Sequence, residues 1–230
     1  MLNYNTTTLG EYNTAEQINT SMGKVYAHMG IAVLISMLVS YLVGSSPELV
    51  KFLFTGIMHY VVIFAPLVYI FFVPVLLNSG ISRLGAMLVL DSFAALMGLS
   101  FAVIFAIYTM GSIFTAFMGA AVLFGTMSFY GYFTRRSLES MGQFMFIGLI
   151  AICIASIINI FIGSTVMQMV ISALAIIIFL GLTAYDTQQI REELTVSDNL
   201  AIAEVSGALT LYLDFINIFL NLLSLFGEKK

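Results

Sequence analysis

Long apolar stretches separated by short polar segments form the dominant pattern of this chain. A membrane-spanning helix needs about 20 mostly apolar residues, and seven stretches reach that length. They cover 25–43, 54–77, 84–108, 111–133, 142–162, 165–187 and 200–226. The sequence lacks the alternating segments of about 10 residues that are typical of an outer-membrane barrel. The pattern therefore predicts an all-α integral membrane protein with seven transmembrane helices.

The composition agrees with that class. Of 230 residues, 60% are hydrophobic and 9% are charged, whereas about a quarter of a soluble domain is charged. Connections between the apolar stretches are short, so we expect a polar N-terminal tail over 1–24 and one seven-helix domain over 25–230. The hydrolase signatures His-Glu-x-x-His and Gly-x-Ser-x-Gly are missing from the sequence. We expect a protein that is not an enzyme, needs no cofactor and binds no nucleic acid.

The basic residues near the ends of the stretches predict the orientation. With seven crossings, one side carries Lys24, Arg83, Arg135, Arg136 and Arg191, and the other carries Lys51, Lys229 and Lys230. If the last segment were re-entrant, Lys229 and Lys230 would join the first side. Both arrangements favour a cytoplasmic N-terminus. We predict a full last crossing, because 200–226 is long enough to span.

Two aspartates occur where a bilayer would exclude them. Asp186 lies at the end of the sixth apolar stretch and Asp214 lies inside the seventh. An ionised carboxylate in lipid is costly, so such residues face a protein interior or a water path and often mark function. Each aspartate lies 14 residues from Leu200, in the connection between the two helices. We therefore expect them at similar depths on antiparallel neighbours, where they can meet.

A meeting of the two carboxyl groups has definite chemical consequences. Two like charges in a poorly solvated site cannot both ionise cheaply, so the pair shares one proton and titrates as a unit. Such a pair can sense protons near neutral pH. When both carboxyls are ionised, they form a hard oxygen site suited to Ca²⁺. A nearby arginine would instead neutralise the pair and lock the helices together.

The last apolar stretch carries a stripe of polar and small residues, which we call the polar seam. Its members recur every three or four residues and fall within an arc of about 100° on one helix face. They are Gly207, Thr210, Asp214, Asn217, Asn221 and Ser224. A polar stripe facing lipid would be costly, so it faces other helices or a hydrated cavity. We expect this helix near the centre of the bundle. Alternatively, the polar residues other than Asp214 only form hydrogen bonds between helices.

The segments around the two aspartates resemble the Bax inhibitor-1 family, also called the transmembrane Bax-inhibitor-motif family. They read Gly181-Leu-Thr-Ala-Tyr-Asp-Thr-Gln188, Leu211-Tyr-Leu-Asp-Phe-Ile-Asn217 and Asn221-Leu-Leu223. Lys24-Val-Tyr-Ala-His28 and Gly125-Thr-Met-Ser-Phe-Tyr-Gly131 are further matches. The resemblance extends over the chain beyond the N-terminal tail. With its short tail and loops, the chain looks most similar to bacterial inner-membrane members.

The resemblance implies a seven-helix fold in which the other six helices surround the last one. It implies a pH-sensitive Ca²⁺ leak whose proton sensor and ion-binding pair are Asp186 and Asp214. It also implies an arginine, near the end of the second transmembrane helix, that latches the pair in the closed state. Asn78 and Ser79 occupy that region here, so Arg83 is the candidate latch.

Asp91 is a further acid, within the third apolar stretch, and has no counterpart in the resemblance. Three roles are open. It adds an accessory carboxylate to the cation path, it pairs with His28 or His59, or it is a protonated acid bonded to a neighbour.

The sequence thus favours a pH-sensitive cation leak channel whose partners are the lipid bilayer, Ca²⁺ and protons. One alternative is a non-transporting regulator that binds a membrane protease or stress and cell-survival factors. Another is an intramembrane aspartyl protease, which also places Tyr-Asp on one helix and Asp on the next. Such proteases typically carry Gly-x-Gly-Asp at the second aspartate, where this chain has Leu211-Tyr-Leu-Asp214.

Overall fold

The computed structural model describes residues 12–230, so the first 11 residues of the predicted tail lie outside the described part. The elements are α1 (Ala15–Gly44), α2 (Pro47–Leu53), α3 (Gly56–Leu77), α4 (Arg83–Ile107), α5 (Met110–Phe133), α6 (Glu139–Ile162), α7 (Thr165–Val196) and α8 (Leu200–Phe226). All except α2 are long and apolar enough to cross a membrane. The predicted all-α fold with seven spans is confirmed.

The helix ends differ from the limits of the apolar stretches. α1 begins at Ala15 because Thr14 and Gln17 form a capping box there. α7 continues through polar residues to Val196. The short helix α2 was not predicted, and it begins at Pro47 with the Ser46 side chain as its cap. Hydropathy locates the membrane-spanning part of a helix, whereas capping residues determine where the helix begins.

α8 is the central helix of the bundle, as the polar seam predicted. Half of its apolar span is buried, compared with 6% for α6. α8 packs directly on α1, α4, α5 and α7, while α3 packs against α4 and α6 against α7. The direct neighbours of α8 are therefore four helices, with α3 and α6 in an outer layer.

A buried tyrosine ties the middle of α8 to two other helices. Tyr212 is fully buried, and its hydroxyl lies 2.7 Å from Ser36 Oγ on α1. Ser36 Oγ also lies 2.8 Å from the Ala94 carbonyl of α4, to which it donates. Because Ser36 has a single hydroxyl proton, Tyr212 is the donor in the first bond. This chain of hydrogen bonds gives the buried Tyr212 hydroxyl a partner, while the ring of Tyr212 packs among apolar side chains.

Close backbone approach sets the contact between α5 and α7 beside the candidate site. A Cβ atom on Gly131 would collide with the Ala184 carbonyl group. One turn away, Ser128 Oγ lies 2.9 Å from Thr187 Oγ1 and 2.7 Å from the Tyr26 hydroxyl of α1. α7 is therefore linked to α5 at the residue that follows Asp186, and through Ser128 the link continues to α1.

The two ends of α8 reach opposite sides of the bundle. Beside its first residue, the Asn13 amide donates to the Leu194 carbonyl (2.9 Å) and the Ser197 carbonyl (3.0 Å). Beyond its last turn, the backbone of Lys229 forms an isolated antiparallel β-bridge with Tyr108 in the α4–α5 connection. We call these the N-terminal side and the C-terminal side. This geometry favours a full crossing by α8 over a re-entrant segment.

A buried glutamate joins three helices on the N-terminal side. Glu204 of α8 is 1% exposed. Its Oε1 accepts hydrogen bonds from Ser21 Oγ (2.7 Å) and Lys24 Nζ (3.1 Å) of α1, and its Oε2 pairs with Arg83 of α4. We call these four residues the Glu204 cluster. A buried carboxylate is tolerated when cations and hydrogen bonds compensate its lost hydration.

Removing the charge of Glu204 should weaken the bundle. We expect Glu204→Gln to lower the free energy of unfolding by about 1.5–3 kcal/mol, the usual effect of hydrogen bonds to a charged group. Reversible unfolding in mixed detergent micelles, followed by circular dichroism, measures the change. Glu192→Gln is the matched control, because Glu192 is exposed and forms no ion pair within residues 12–230. Equal stability of the two variants would contradict the structural role of the Glu204 cluster.

Candidate ion and proton site

The structure brings Asp186 and Asp214 together. They lie on α7 and α8, which run antiparallel and are joined by the short connection 197–199. Their carboxyl groups are within hydrogen-bonding distance of each other. Asp214 is 4% exposed and Asp186 is partly buried. We call the two carboxyls the dyad, and their equal distance from Leu200 explains why they meet.

The surroundings of the dyad offer few donors. Asp214 Oδ2 is buried and has no hydrogen-bond partner within the described chain. The Thr183 hydroxyl lies beside Asp214 but donates its proton to the Phe179 carbonyl, at 2.7 Å. A proton carried by one of the two carboxyls can bridge them, and it reduces the charge of the buried pair from two to one.

No basic side chain reaches the dyad among residues 12–230. Arg83, the candidate latch, pairs with Glu204 instead. Glu204 precedes Asp214 by ten residues on α8, which corresponds to about 15 Å along the helix. Arg83 is the first residue of α4, at the N-terminal side, where Glu204 is the nearer carboxylate. The expectation that Arg83 reaches the dyad is therefore not met in this structure.

The dyad faces a cavity of about 750 Å³ between α6, α7 and α8, which we call the dyad cavity. The polar lining consists of both aspartates with Gln143, Tyr185, Thr210 and Asn217. The α6 wall is otherwise mainly apolar. Gln143 belongs to the first turns of α6, so the cavity extends from the N-terminal side to the middle of α8. It can hold water or a partly hydrated ion next to the two carboxyls.

Three members of the polar seam, Thr210, Asp214 and Asn217, line this cavity, and most of the polar side chains of the seam do not bond to other helices. The Asn217 and Asn221 amides each donate to a carbonyl of α8 itself, four residues earlier and at 2.8 Å. Thr210 likewise donates to the Ser206 carbonyl, at 3.3 Å. Ser224 does connect helices, through Ser172 of α7 at 3.2 Å. Hydrogen bonding between helices thus accounts for Ser224, whereas Thr210 and Asn217 present oxygen atoms at the cavity wall.

Asp91 lies apart from the dyad. It is partly buried on α4, does not line the dyad cavity, and makes no side-chain hydrogen bond within the described residues. The titratable side chain nearest to it in electrostatic terms is His28 of α1, whose Nε2 is buried without a hydrogen-bond partner among the described residues. His59 sits instead between the rings of Phe54 and Tyr60. Asp91 therefore does not belong to the dyad cavity, and its pairing with a histidine stays a prediction, because neither His28 nor His59 forms an ion pair with it among the described residues.

Sequence reasoning missed Glu204, although a signal was present. Glu204 lies three residues before Gly207 and extends the polar seam by one turn. It is also an acid within the apolar stretch 200–226, on the side that carries Lys24 and Arg83. Extending the seam by one turn would have identified it, since an acid near a membrane boundary with two cations nearby predicts an ion pair.

Comparisons with known proteins agree with the motifs around the dyad. The model of the family described as "Inhibitor of apoptosis-promoting Bax1" matches residues 18–230. The inner membrane protein YbhL of Escherichia coli is 36% identical over 222 residues, which cover 93% of each chain. An uncharacterized protein of Rickettsia prowazekii is 34% identical over 98% of this chain and 96% of its own length. The chain therefore belongs to the Bax inhibitor-1 family, which its paired aspartate motifs resemble.

Proposed function

We propose that the protein is a pH-sensitive leak pathway for cations, with Ca²⁺ as the substrate, and that Asp186 and Asp214 are its proton sensor. The observation that carries this proposal is the contact of the two carboxyls, with no cation beside them in the described chain. Two charges about 4 Å apart repel by about 4 kcal/mol at an effective dielectric constant of about 20. Ionisation of both carboxyls therefore pushes α7 and α8 apart unless a cation enters between them.

The donor set of the dyad cavity suits passage of Ca²⁺ better than its retention. Ca²⁺ takes about six to eight oxygen ligands. The two carboxylates supply at most four, and Thr210 and Asn217 add oxygens at the cavity wall. The described residues contain no group of three or more His, Cys, Asp or Glu side chains that could hold a metal ion. Water would complete the coordination, and a conducted ion must be bound weakly enough to leave.

The proposal also requires a route from the dyad cavity toward the C-terminal side. Asn221 and Ser224 follow Asn217 on the same face of α8. Near the end of α8 a further cavity of about 490 Å³ lies against α5, and its lining includes Ser112, Thr115 and Glu228. Leu222 and Phe226 line it from α8, so it lies on the opposite face of that helix from Asn221 and Ser224. Buried apolar residues of α8 separate it from the dyad cavity. In this proposal, ions pass when α8 shifts relative to α5 and α7 and joins the two cavities.

We place the protein in the bacterial inner membrane with its N-terminus in the cytoplasm. Its relative YbhL is named as an inner membrane protein. Lys24, Arg83 and Arg191 lie toward the N-terminal side, together with Arg135 and Arg136, whereas Lys229 and Lys230 lie on the C-terminal side. The excess of basic residues on the N-terminal side favours a cytoplasmic location for that side.

The transport proposal predicts a pH response that depends on the dyad. We expect Ca²⁺ flux into proteoliposomes of the wild-type protein to change across about pH 5–8, because the pair titrates as one unit. In Asp186→Asn/Asp214→Asn, the ratio of the fluxes at the two ends of that range should fall to about one, since no carboxyl remains to titrate. A Ca²⁺-sensitive dye inside the vesicles records the rate.

Asp91→Asn is the matched control for this experiment. It also removes one carboxyl from a membrane-spanning helix, but away from the dyad cavity, so its pH response should equal that of the wild type. An unchanged pH response in the double variant would overturn the sensor assignment. Absence of flux at every pH would favour the non-transporting regulator, and labelling by a transition-state inhibitor of aspartyl proteases would favour the protease.

The orientation has its own test. Alkaline phosphatase fused after Lys230 should be active in bacterial cells, because the enzyme folds only outside the cytoplasm, where its disulfides form. The same enzyme fused after Arg136, in the α5–α6 connection, should be inactive. The reverse pattern of activities would show a cytoplasmic C-terminal side.

A further inference from the structure

A second large cavity lies on the other side of α8 from the dyad and contains almost no polar surface. Its volume is about 470 Å³. α8 forms its floor, α1 and α4 form one wall, and α5 forms the other. The lining includes six phenylalanines, Phe101, Phe105, Phe114, Phe117, Phe215 and Phe219. We call this cavity the lateral groove.

The lateral groove opens sideways into the membrane. α1 packs on α4, and α5 packs on α7 and α8, but neither α1 nor α4 packs extensively on α5. Side chains at the rim are exposed on both walls, including Met37 and Tyr41 of α1 and Phe114 and Met118 of α5. The opening faces the hydrocarbon region of the bilayer, where acyl chains are present and water is not. The volume falls within the range of about 300–1,000 Å³ that is typical of small-molecule sites.

One polar group inside the groove lacks a partner. Ser40 is 3% exposed and lines the groove, and its Oγ has no hydrogen-bond partner within residues 12–230. A buried hydroxyl without a hydrogen bond is destabilising. Ser40 lies one turn from the end of α1 at Gly44, or about 6 Å from that end along the helix. At such a depth below the membrane surface, the ester carbonyl of a phospholipid is an available acceptor.

A cation stands at the surface end of the same groove. Lys230 Nζ donates to the Phe105 carbonyl, at 2.7 Å, and the Phe105 side chain lines the groove. Lys230 is exposed on the C-terminal side, so its charge is available to an anionic group at the membrane surface. The groove therefore has an apolar interior, a hydroxyl donor near its end and an ammonium group beyond that end. These features follow the order of the acyl chain, the ester group and the phosphate in a phospholipid.

We propose that the lateral groove is a binding site for an anionic phospholipid. One acyl chain occupies the groove, its ester carbonyl accepts a hydrogen bond from Ser40, and its phosphate lies near Lys230. Phe215 and Ile216, which form part of the floor, directly follow Asp214 in α8. The bound chain therefore supports α8 on the side opposite the dyad cavity. Binding at this site does not depend on the transport proposal.

Native mass spectrometry of the full chain in detergent tests the proposal. Phosphatidylglycerol and phosphatidylcholine with identical acyl chains are titrated in parallel. We expect the wild type to bind phosphatidylglycerol about fivefold more tightly, the effect of one basic residue at a membrane surface. Met37→Trp should reduce binding of both lipids, because the indole fills the mouth of the groove. Leu34→Trp is the matched control, since Leu34 is exposed on α1 outside the groove, and it should bind as the wild type does.

Two smaller substitutions test the polar contacts and keep the proposal falsifiable if Met37→Trp folds poorly. Ser40→Ala should weaken binding of both lipids about two- to tenfold, the usual effect of one hydrogen bond. Lys230→Gln should remove the preference for phosphatidylglycerol. Lipid binding that is unchanged in Met37→Trp and Ser40→Ala would overturn the proposal. Loss of a dimer instead of a lipid in Met37→Trp would show that a second copy of the chain covers the groove.

Discussion

The cost of an ionised carboxylate in a membrane interior governs the organisation of this bundle. α8 is the most buried helix and carries two acids, Glu204 near its beginning and Asp214 near its middle. Neither can face lipid, so each needs a compensating partner from another helix. This requirement holds α8 at the centre and determines which faces of α1, α4 and α7 contact it.

The two acids of α8 are compensated in different ways. Glu204 is neutralised by Lys24 and Arg83, whose charged groups are partly exposed near the membrane boundary. Asp214 lies deeper, where no cation reaches it in the described chain, and its partner is a second carboxyl, Asp186. The ion pairs of Glu204 hold α1, α4 and α8 together as long as the side chains stay charged. The contact between Asp186 and Asp214 instead depends on a proton between the two carboxyls, so it changes with pH. The first arrangement suits a fixed anchor and the second suits a sensor.

Sequence reasoning was successful where a single helix carries the signal. Hydropathy predicted the seven spans, the seam predicted the central place of α8, and equal spacing from Leu200 predicted that Asp186 meets Asp214. It was less successful where the answer depends on the arrangement of several helices. The pairing of Arg83 with Glu204 depends on how the ends of α4 and α8 are placed. The lateral groove exists because α1 and α4 do not close on α5, and no local pattern in one segment encodes such a gap.

The proposed sensor requires that Asp186 and Asp214 share one proton when their carboxyl groups are in contact. Infrared spectroscopy of the protein in lipid bilayers tests it directly, through the carbonyl stretch of a protonated carboxyl in wild type and in Asp186→Asn/Asp214→Asn. If the two carboxyls share a proton, the wild type at neutral pH shows the band of one protonated buried carboxyl, which titrates with pH and is missing from the double variant. A wild-type spectrum at neutral pH that matches that of the double variant in this region would contradict it.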